Sequence, residues 1–263
     1  MAAATSNALS PDQVARFHED GFLAGPFQLC TPDEMAAIRD TIDREVFTSD
    51  PTFLHALHEE EVRQGTARLQ WRHLDRRIVY DLCAHPAIVE KMASIHGPDL
   101  LLWRSLFWVK QPGGPQTPWH QDWKSWPMLN PVINITAWIA ITEATLENSC
   151  MQLIPGSHRT AVPEQLYADP TARDFALPTG AVLDTSKAVP VELKPGEFFL
   201  LDEKILHYAA ANQSAKRRVA LTARVTVPAV KVDNALCFPG HKVIVLSGSD
   251  RLGLNETASP PTT

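Results

Sequence analysis

Histidine and aspartate recur two residues apart three times in this 263-residue sequence, as His18/Asp20, His73/Asp75 and His120/Asp122. An imidazole and a carboxylate so spaced offer a neutral nitrogen ligand and an anionic oxygen ligand, a combination that suits a divalent transition metal. The local backbone decides which pair can share one ion. His18 and Asp20 fall in a stretch that reads as helix, where residues two apart point to nearly opposite sides. His73 and Asp75 lie among Arg68, Arg72, Arg76 and Arg77, so Asp75 reads more simply as an ion-pair partner, with a substrate role for the basic cluster left open. His120 and Asp122 follow the Gly/Pro loop 111–118, where an extended segment begins. In extended chain residues i and i+2 project to the same face, with Gln121 pointing away.

Two more residues extend this pair into a constellation. His207 follows an apolar run at 197–201, and Arg218 comes eleven residues later, beyond the turn residues Asn212-Gln213-Ser214. Two neutral imidazoles and one carboxylate on one face of Fe(II) leave its other positions open to a chelating cosubstrate and O2. A planar, permanently charged guanidinium nearby can hold the far carboxylate of a dicarboxylate through paired hydrogen bonds. His120, Asp122, His207 and Arg218 meet that requirement in an order compatible with a barrel.

The surrounding elements must bring these residues together. Ser10-Pro11-Asp12-Gln13 and Thr31-Pro32-Asp33-Glu34 each place a hydroxyl at an N-cap, proline at the first helical position and Gln or Glu three residues after the cap. Helices are therefore expected up to Gly21 and from Thr31 to before Pro51, the second carrying Met35, Ile38, Ile42 and Val46 on one face. A third is expected from Pro86 to Gly97-Pro98. Beyond residue 100 the pattern turns to short β-branched and aromatic runs divided by Pro and Gly, predicting strands at 101–110, 132–141, 151–154, 189–193, 197–201 and 218–227. Short strands with few helices between them point to an antiparallel sandwich or barrel. The polar, Pro-rich 252–263 reads as a loose tail.

The chain resembles the phytanoyl-CoA dioxygenase family of Fe(II)- and 2-oxoglutarate-dependent oxygenases. The likeness is carried by the opening Leu9-Ser10-Pro11-Asp12-Gln13 and Phe17-His18-Glu19-Asp20-Gly21-Phe22, by Trp119-His120-Gln121-Asp122, and by Thr136-Ala137-Trp138-Ile139-Ala140-Ile141. It continues through Glu147-Asn148, Ile154-Pro155-Gly156-Ser157-His158-Arg159 and the closing His207, Asn212, Ser214 and Arg218. It implies a mainly β fold with flanking N-terminal helices, a double-stranded β-helix of jelly-roll or cupin-like form. One oxygenase domain would cover 1–263: a mainly helical 1–98, a jelly-roll core 99–230 and a C-terminal extension and tail 231–263. The resemblance makes His120, Asp122 and His207 the iron ligands and places Arg218 on the distal carboxylate of 2-oxoglutarate, with Thr136, Trp138 and Phe107 lining that pocket. Family spacing favours Arg218 over its neighbour Arg217, because adjacent strand residues face opposite ways. His158 belongs to a family turn and is not a ligand. Ser149 stands where the family usually has glycine. Related halogenases replace the carboxylate ligand by a small residue, so Asp122 favours hydroxylation, desaturation or oxidative ring closure over chlorination.

Six of the seven tryptophans fall between Trp103 and Trp138. Most serve packing, since large aromatics dominate cores; Trp123 and Trp126, with Gln152, are the candidates for substrate contact. A net charge of −6 without a concentrated basic stretch argues against nucleic acid, and no run of about 18 apolar residues argues for a membrane span. Four well-separated cysteines suggest reduced thiols, and residues 1–9 lack the form of a secretory signal, so the expected compartment is cytoplasmic. The reading is an enzyme that uses Fe(II), 2-oxoglutarate and O2 on a small molecule, plausibly in natural-product biosynthesis. Two alternatives stay open: a zinc hydrolase on the same His/Asp/His set, which gives no reason for Arg218, and a non-catalytic jelly-roll binding module.

Overall fold

The computed structural model describes residues 7–57, 66–160 and 184–263. Both capping boxes form as the sequence specifies. The Ser10 hydroxyl accepts from the Gln13 amide at 3.2 Å while the Gln13 side chain accepts from the Ser10 amide at 2.9 Å, and α1 (Pro11–Asp20) stops at Gly21 with φ +80°. Thr31 and Glu34 repeat the exchange at the start of α2 (Pro32–Thr41), which continues as one π-helical segment, Ile42–Val46. A helix at Arg77–Cys83 (α3) lies outside the sequence expectation; α4 (Pro86–His96) is the expected third helix.

The β elements pair into two principal sheets. The larger contains β1 (Phe22–Gln28), β2 (Leu100–Lys110), β5 (Ile135–Ala140), β8 (Glu197–Asp202), β10 (Arg218–Thr226) and β12 (Ile244–Ser247), in the order β1-β8-β5-β10-β2-β12. The smaller contains β3 (Thr117–His120), β6 (Met151–Leu153), β7 (Val189–Val191) and β9 (His207–Ala209), in the order β3-β9-β6-β7. All pairings within these sheets are antiparallel. Two short strands, β4 (Leu129–Asn130) and β11 (Lys231–Val232), form a separate pair. This is a double-stranded β-helix, the form the family resemblance implied within the antiparallel sandwich or barrel that the strand pattern anticipated.

β1 was not expected, because Gly25-Pro26 interrupts its apolar run. The register between Leu23 and Phe27 shifts at that point, and the strand still pairs along β8. The C-terminal stretch corrects the expectation of a loose tail. Thr257 bridges Val243, Asn255 accepts from the Val232 amide at 2.8 Å and donates to the Val230 carbonyl at 3.0 Å, and the Thr263 carbonyl accepts from the Arg77 amide. Backbone hydrogen bonds hold this polar segment where its few apolar residues would not.

β10 shows how the sheet divides its labour. Every residue of this central strand is buried, since helices cover one face and the barrel interior the other. Val219, Leu221, Ala223 and Val225 join Phe17, Met35, Ile42, Val79, Ile88 and Met92 in the core between helices and sheet. The alternate residues Arg218, Thr222 and Arg224 face the interior cavity, and Ala220 packs there with Trp138, Phe199 and Leu201. Arg217, one residue before the strand, turns to the helical side, where its Nη2 meets Asp43 at 2.6 Å. The face choice between Arg217 and Arg218 therefore follows the period of two. No helix among the described residues is long and apolar enough to cross a membrane.

Candidate active site

His120 closes β3 and His207 opens β9, directly across the antiparallel ladder, with ring centroids 4.0 Å apart. Gln121 is extended (φ −116°, ψ 125°), so Asp122 lands on the same side as His120 before the chain enters a 3-10 turn, Asp122–Ser125. Asp122 Oδ1 lies 3.4 Å from His120 Nε2 and 3.7 Å from His207 Nε2. The three ligand atoms fall within 4.8 Å of one another.

The ring nitrogens not facing Asp122 are committed. His120 Nδ1 is 2.8 Å from the Pro118 carbonyl and His207 Nδ1 is 3.0 Å from the Ile205 carbonyl. A carbonyl can only accept, so each Nδ1 carries the proton and each Nε2 presents a lone pair to the shared point. Burial, reinforced by His120, pushes His207 down to about 4, so it is neutral and free to ligate near pH 7. Burial alone would raise the Asp122 carboxyl. The Arg224 guanidinium outweighs burial and holds the group well below the usual carboxylate range. Arg224 Nη2 takes Asp122 Oδ2 at 3.0 Å, leaving Oδ1 turned to the histidines.

Gln121 turns away from the ligand face, as expected, and braces it. Its Nε2 donates to the Lys204 carbonyl at 2.5 Å and the Thr160 carbonyl at 3.2 Å, while the Ser157 hydroxyl accepts from the Leu206 amide at 2.9 Å. The Pro-Gly-Ser-His turn thus ties the His120 segment to the His207 segment. His158 within it contacts the His18 carbonyl on α1, away from the triad. The pair His73/Asp75 likewise binds no shared point: His73 Nδ1 meets Ser105 Oγ at 2.8 Å, and Asp75 Oδ1 meets the fully buried Arg72 at 2.9 Å. Arg72 also donates to the Val46 and Ser49 carbonyls, Arg68 pairs with Asp50 and Arg77 with Asp81, so the basic cluster pins local structure.

An open cavity of about 470 Å³ lies between the sheets and is lined by His120, Asp122, His207, Arg218, Thr136 and Trp138. Arg218 is 4% exposed, its Nε lacks a hydrogen-bond partner, and no carboxylate among the described residues pairs with it. Its guanidinium rests over the Trp138 ring, 5.4 Å from the centroid. Burial pushes it down to about 10, and it remains cationic near neutrality. A buried, unmatched cation is costly, by several kcal/mol in typical cases. It fits an anion that arrives from outside.

Three aromatic expectations are corrected. Phe107 faces the helices, packed edge-on against Phe47 with centroids 5.1 Å apart, and the adjacent Trp108 lines the cavity in its place. Trp126 is fully buried behind the site, where Arg224 lies 4.7 Å from its ring centroid; it backs the Asp122 clamp and does not face the cavity. Trp123 donates its indole N–H to Gln121 at 3.2 Å and is absent from the cavity wall. Gln152 also misses the wall: it sits between Met151 and Leu153 on β6, and Met151 takes the inner position. Ser149 adopts φ +83°, the conformation for which glycine is usual, and its hydroxyl donates to the Ala210 carbonyl at 2.5 Å.

Cavity residues not anticipated include Thr117, Met151, Tyr208 and Arg224. Arg224 was reachable, since it shares the period-two face of Arg218. Thr117 lies three residues before His120 on β3, at a parity that a period of two read backwards from the metal motif does not reach; the register shift between the two residues brings both to the cavity.

The phytanoyl-CoA dioxygenase (PhyH) family profile matches residues 17–220, and the chain belongs to that family. The His/Asp/His set and the family together make it a non-haem Fe(II)- and 2-oxoglutarate-dependent oxygenase by class. Dioxygenase lolE1 of Epichloe uncinata is 29% identical over 180 residues, 68% of this chain and 66% of the relative, so the match spans just under two thirds of that protein. The solved structure of CytC3 with Fe(II) and alpha-ketoglutarate superposes with a TM-score of 0.75 at 25% identity, covering 98% of this chain and 96% of that one. The fold is shared also by the carbocyclase SnoK from nogalamycin biosynthesis, with a TM-score of 0.63 at 21% identity over 98% of this chain and 97% of that one.

Proposed function

We propose that the chain oxidises an unactivated C–H bond of a small molecule, by hydroxylation or oxidative ring closure, and releases succinate and CO2 from 2-oxoglutarate. The single observation that carries the reading is Arg218, a buried guanidinium with no counter-ion among the described residues, which shares one cavity with the converging His120, Asp122 and His207. A zinc hydrolase leaves that cation unexplained, and a silent binding module has no need of two histidines whose Nδ1 protons are both fixed by backbone carbonyls.

In this reading His120, Asp122 and His207 hold the iron, and Arg218 receives the distal carboxylate of 2-oxoglutarate beside Thr136 and Trp138. Bound together, iron and 2-oxoglutarate supply the oxidising power drawn from O2. The protein supplies orientation and dryness. Arg224 fixes Asp122 through one oxygen, while Trp108, Met151 and Leu201 give the cavity apolar walls that keep water from the reacting carbon. The intact carboxylate of Asp122 favours hydroxylation, desaturation or ring closure over halogenation. Likeness to SnoK, named as a carbocyclase from nogalamycin biosynthesis, supports a natural-product substrate. The apolar faces of Trp108, Trp138, Met151 and Leu201 favour a molecule with an apolar or ring-bearing part, in keeping with a cytoplasmic tailoring enzyme.

The test is anaerobic addition of Fe(II) and 2-oxoglutarate to the whole chain, read by the visible charge-transfer band of the chelate. The band is expected in the parent and lost in Asp122→Ala and Arg218→Ala; its absence from the parent defeats the reading. A metabolite-pool screen scored by succinate release then identifies the substrate.

A further inference from the structure

Arg218 is not the only cation at its end of the cavity. Lys110, the last residue of β2, is its cross-strand partner in the β2/β10 ladder, and directly opposed residues of an antiparallel pair project to the same face. Lys110 is 9% exposed. Its Nζ donates to the Ala210 carbonyl at 2.9 Å and makes two longer contacts, 3.4 Å each, to the Ala209 carbonyl and to Thr117 Oγ1. Contacts of that length are weak. Thr117 and Ala209 both line the cavity, so the ammonium lies directly behind that part of the wall, on the side of Arg218, with one good hydrogen bond and no carboxylate partner among the described residues.

We infer that Lys110 is a second anchor for the far carboxylate of 2-oxoglutarate, standing beside Arg218. The inference rests on the oxygenase reading above and refines it at one site. A carboxylate seated on Arg218 can replace the two long contacts of Lys110 with a charge-assisted hydrogen bond, and it relieves the mutual repulsion of two buried cations. A role as a simple strut, tying the end of β2 to the chain after β9, would be met by the Ala210 contact alone; it would not call for a charge.

The groups facing Lys110 set its pH behaviour. From β10 comes the Arg218 cation; from β3 and the β9 end come only the Thr117 hydroxyl and two carbonyls. Beyond Arg218 lies Cys150, whose thiol is pushed up to about 11 by burial and then by Glu192, and so is neutral. Tyr208 lines the same cavity. Burial, with Arg218 adding to it, pushes Lys110 down to about 8. An incoming carboxylate acts in the opposite direction. Binding of the diacid above pH 8 therefore takes up a proton, and its affinity declines as pH rises through that value.

The full chain loaded with Mn(II), a redox-silent stand-in for Fe(II), is titrated with 2-oxoglutarate by calorimetry at pH 8.5 in buffers of different ionisation enthalpy. Lys110→Met is expected to raise the Kd about tenfold, while Lys110→Arg keeps the affinity within about threefold and abolishes the proton uptake. The parent is expected to take up roughly half to one proton per site. Buffer-independent heats in the parent, or a Lys110→Met affinity within twofold of it, overturn the inference. The parent heats decide alone should Lys110→Met fail to fold. A missing Fe(II) charge-transfer band would instead sink the oxygenase reading, so the two failures are told apart.

Discussion

The two ends of the cavity each hold a buried arginine, and the two differ in what surrounds them. Arg224 meets Asp122 at 3.0 Å and lies against Trp126, so its charge is answered within the fold. Arg218 lies against Trp138 with no acid paired to it among the described residues and Lys110 as its cross-strand neighbour. The first arrangement positions a ligand side chain; the second has room for a charge that the protein lacks. Chemically identical residues six apart on one strand thus do opposite work, and the counter-ion tells them apart.

The sharpest way to break this contrast is to remove each guanidinium in turn from metal-free protein. Arg224→Met leaves Asp122 buried beside two imidazoles with no cation, and is expected to cost about 3–5 kcal/mol in denaturant unfolding. Equal midpoints for Arg224→Met and the parent would erase the distinction. Arg218→Met takes away an unmatched charge, so its metal-free stability should equal or exceed that of the parent, while its affinity for 2-oxoglutarate falls about 100-fold, in line with charge-assisted hydrogen bonds of about 1.5–3 kcal/mol. Calorimetry on the Mn(II)-loaded protein reads that loss.

Glu203 supplies a third buried charge for comparison. Burial and then the adjacent Asp202 push its carboxyl up to about 8, although its Oε2 accepts from the Asn134 amide at 3.2 Å. A carboxyl raised in the fold contributes stability that is full below its unfolded value near 4.5 and is lost as pH rises towards 8. Glu203→Gln should therefore gain on the parent between pH 5 and pH 9, seen as a rising difference in melting temperature. A constant difference across that range would show that Glu203 ionises as freely in the fold as out of it. The smallest effects belong to the aromatic and amide side chains that miss the cavity. Trp123→Phe and Gln152→Ala should leave the Kd for 2-oxoglutarate within twofold, whereas a tenfold change in either would place that side chain at the wall after all.

The metal-facing residues were legible because their signal is short-range. His-x-Asp in extended chain and a period of two from Arg218 to Arg224 depend on backbone geometry that neighbouring residues determine. The capped helices were legible for the same reason, since Ser10 and Thr31 act within one turn. Phe107 was misplaced by a single residue: with large aromatics at both 107 and 108, side-chain type does not tell which parity faces the interior, and the pairing with β10 decides it. Trp126 and Trp123 follow the metal motif closely in sequence, yet the 3-10 turn at Asp122–Ser125 carries the chain away from the cavity. β1 was hidden by Gly25-Pro26, and the C-terminal anchorage by its use of main-chain hydrogen bonds and of one side chain, Asn255, whose partners Val230 and Val232 lie distant in sequence. Lys110 escaped because a lone lysine at a strand end looks like solvated surface until its opposite number is known.

Each metal-facing imidazole is steered by a carbonyl two residues upstream in its own segment of chain, Pro118 for His120 and Ile205 for His207. The aim of either ring is therefore encoded in a tripeptide and borrows nothing from the loops around the entrance. Those loops can diverge, lengthen or be exchanged by recombination while the donor atoms keep their bearing, which makes the scaffold a reusable chassis for new substrates.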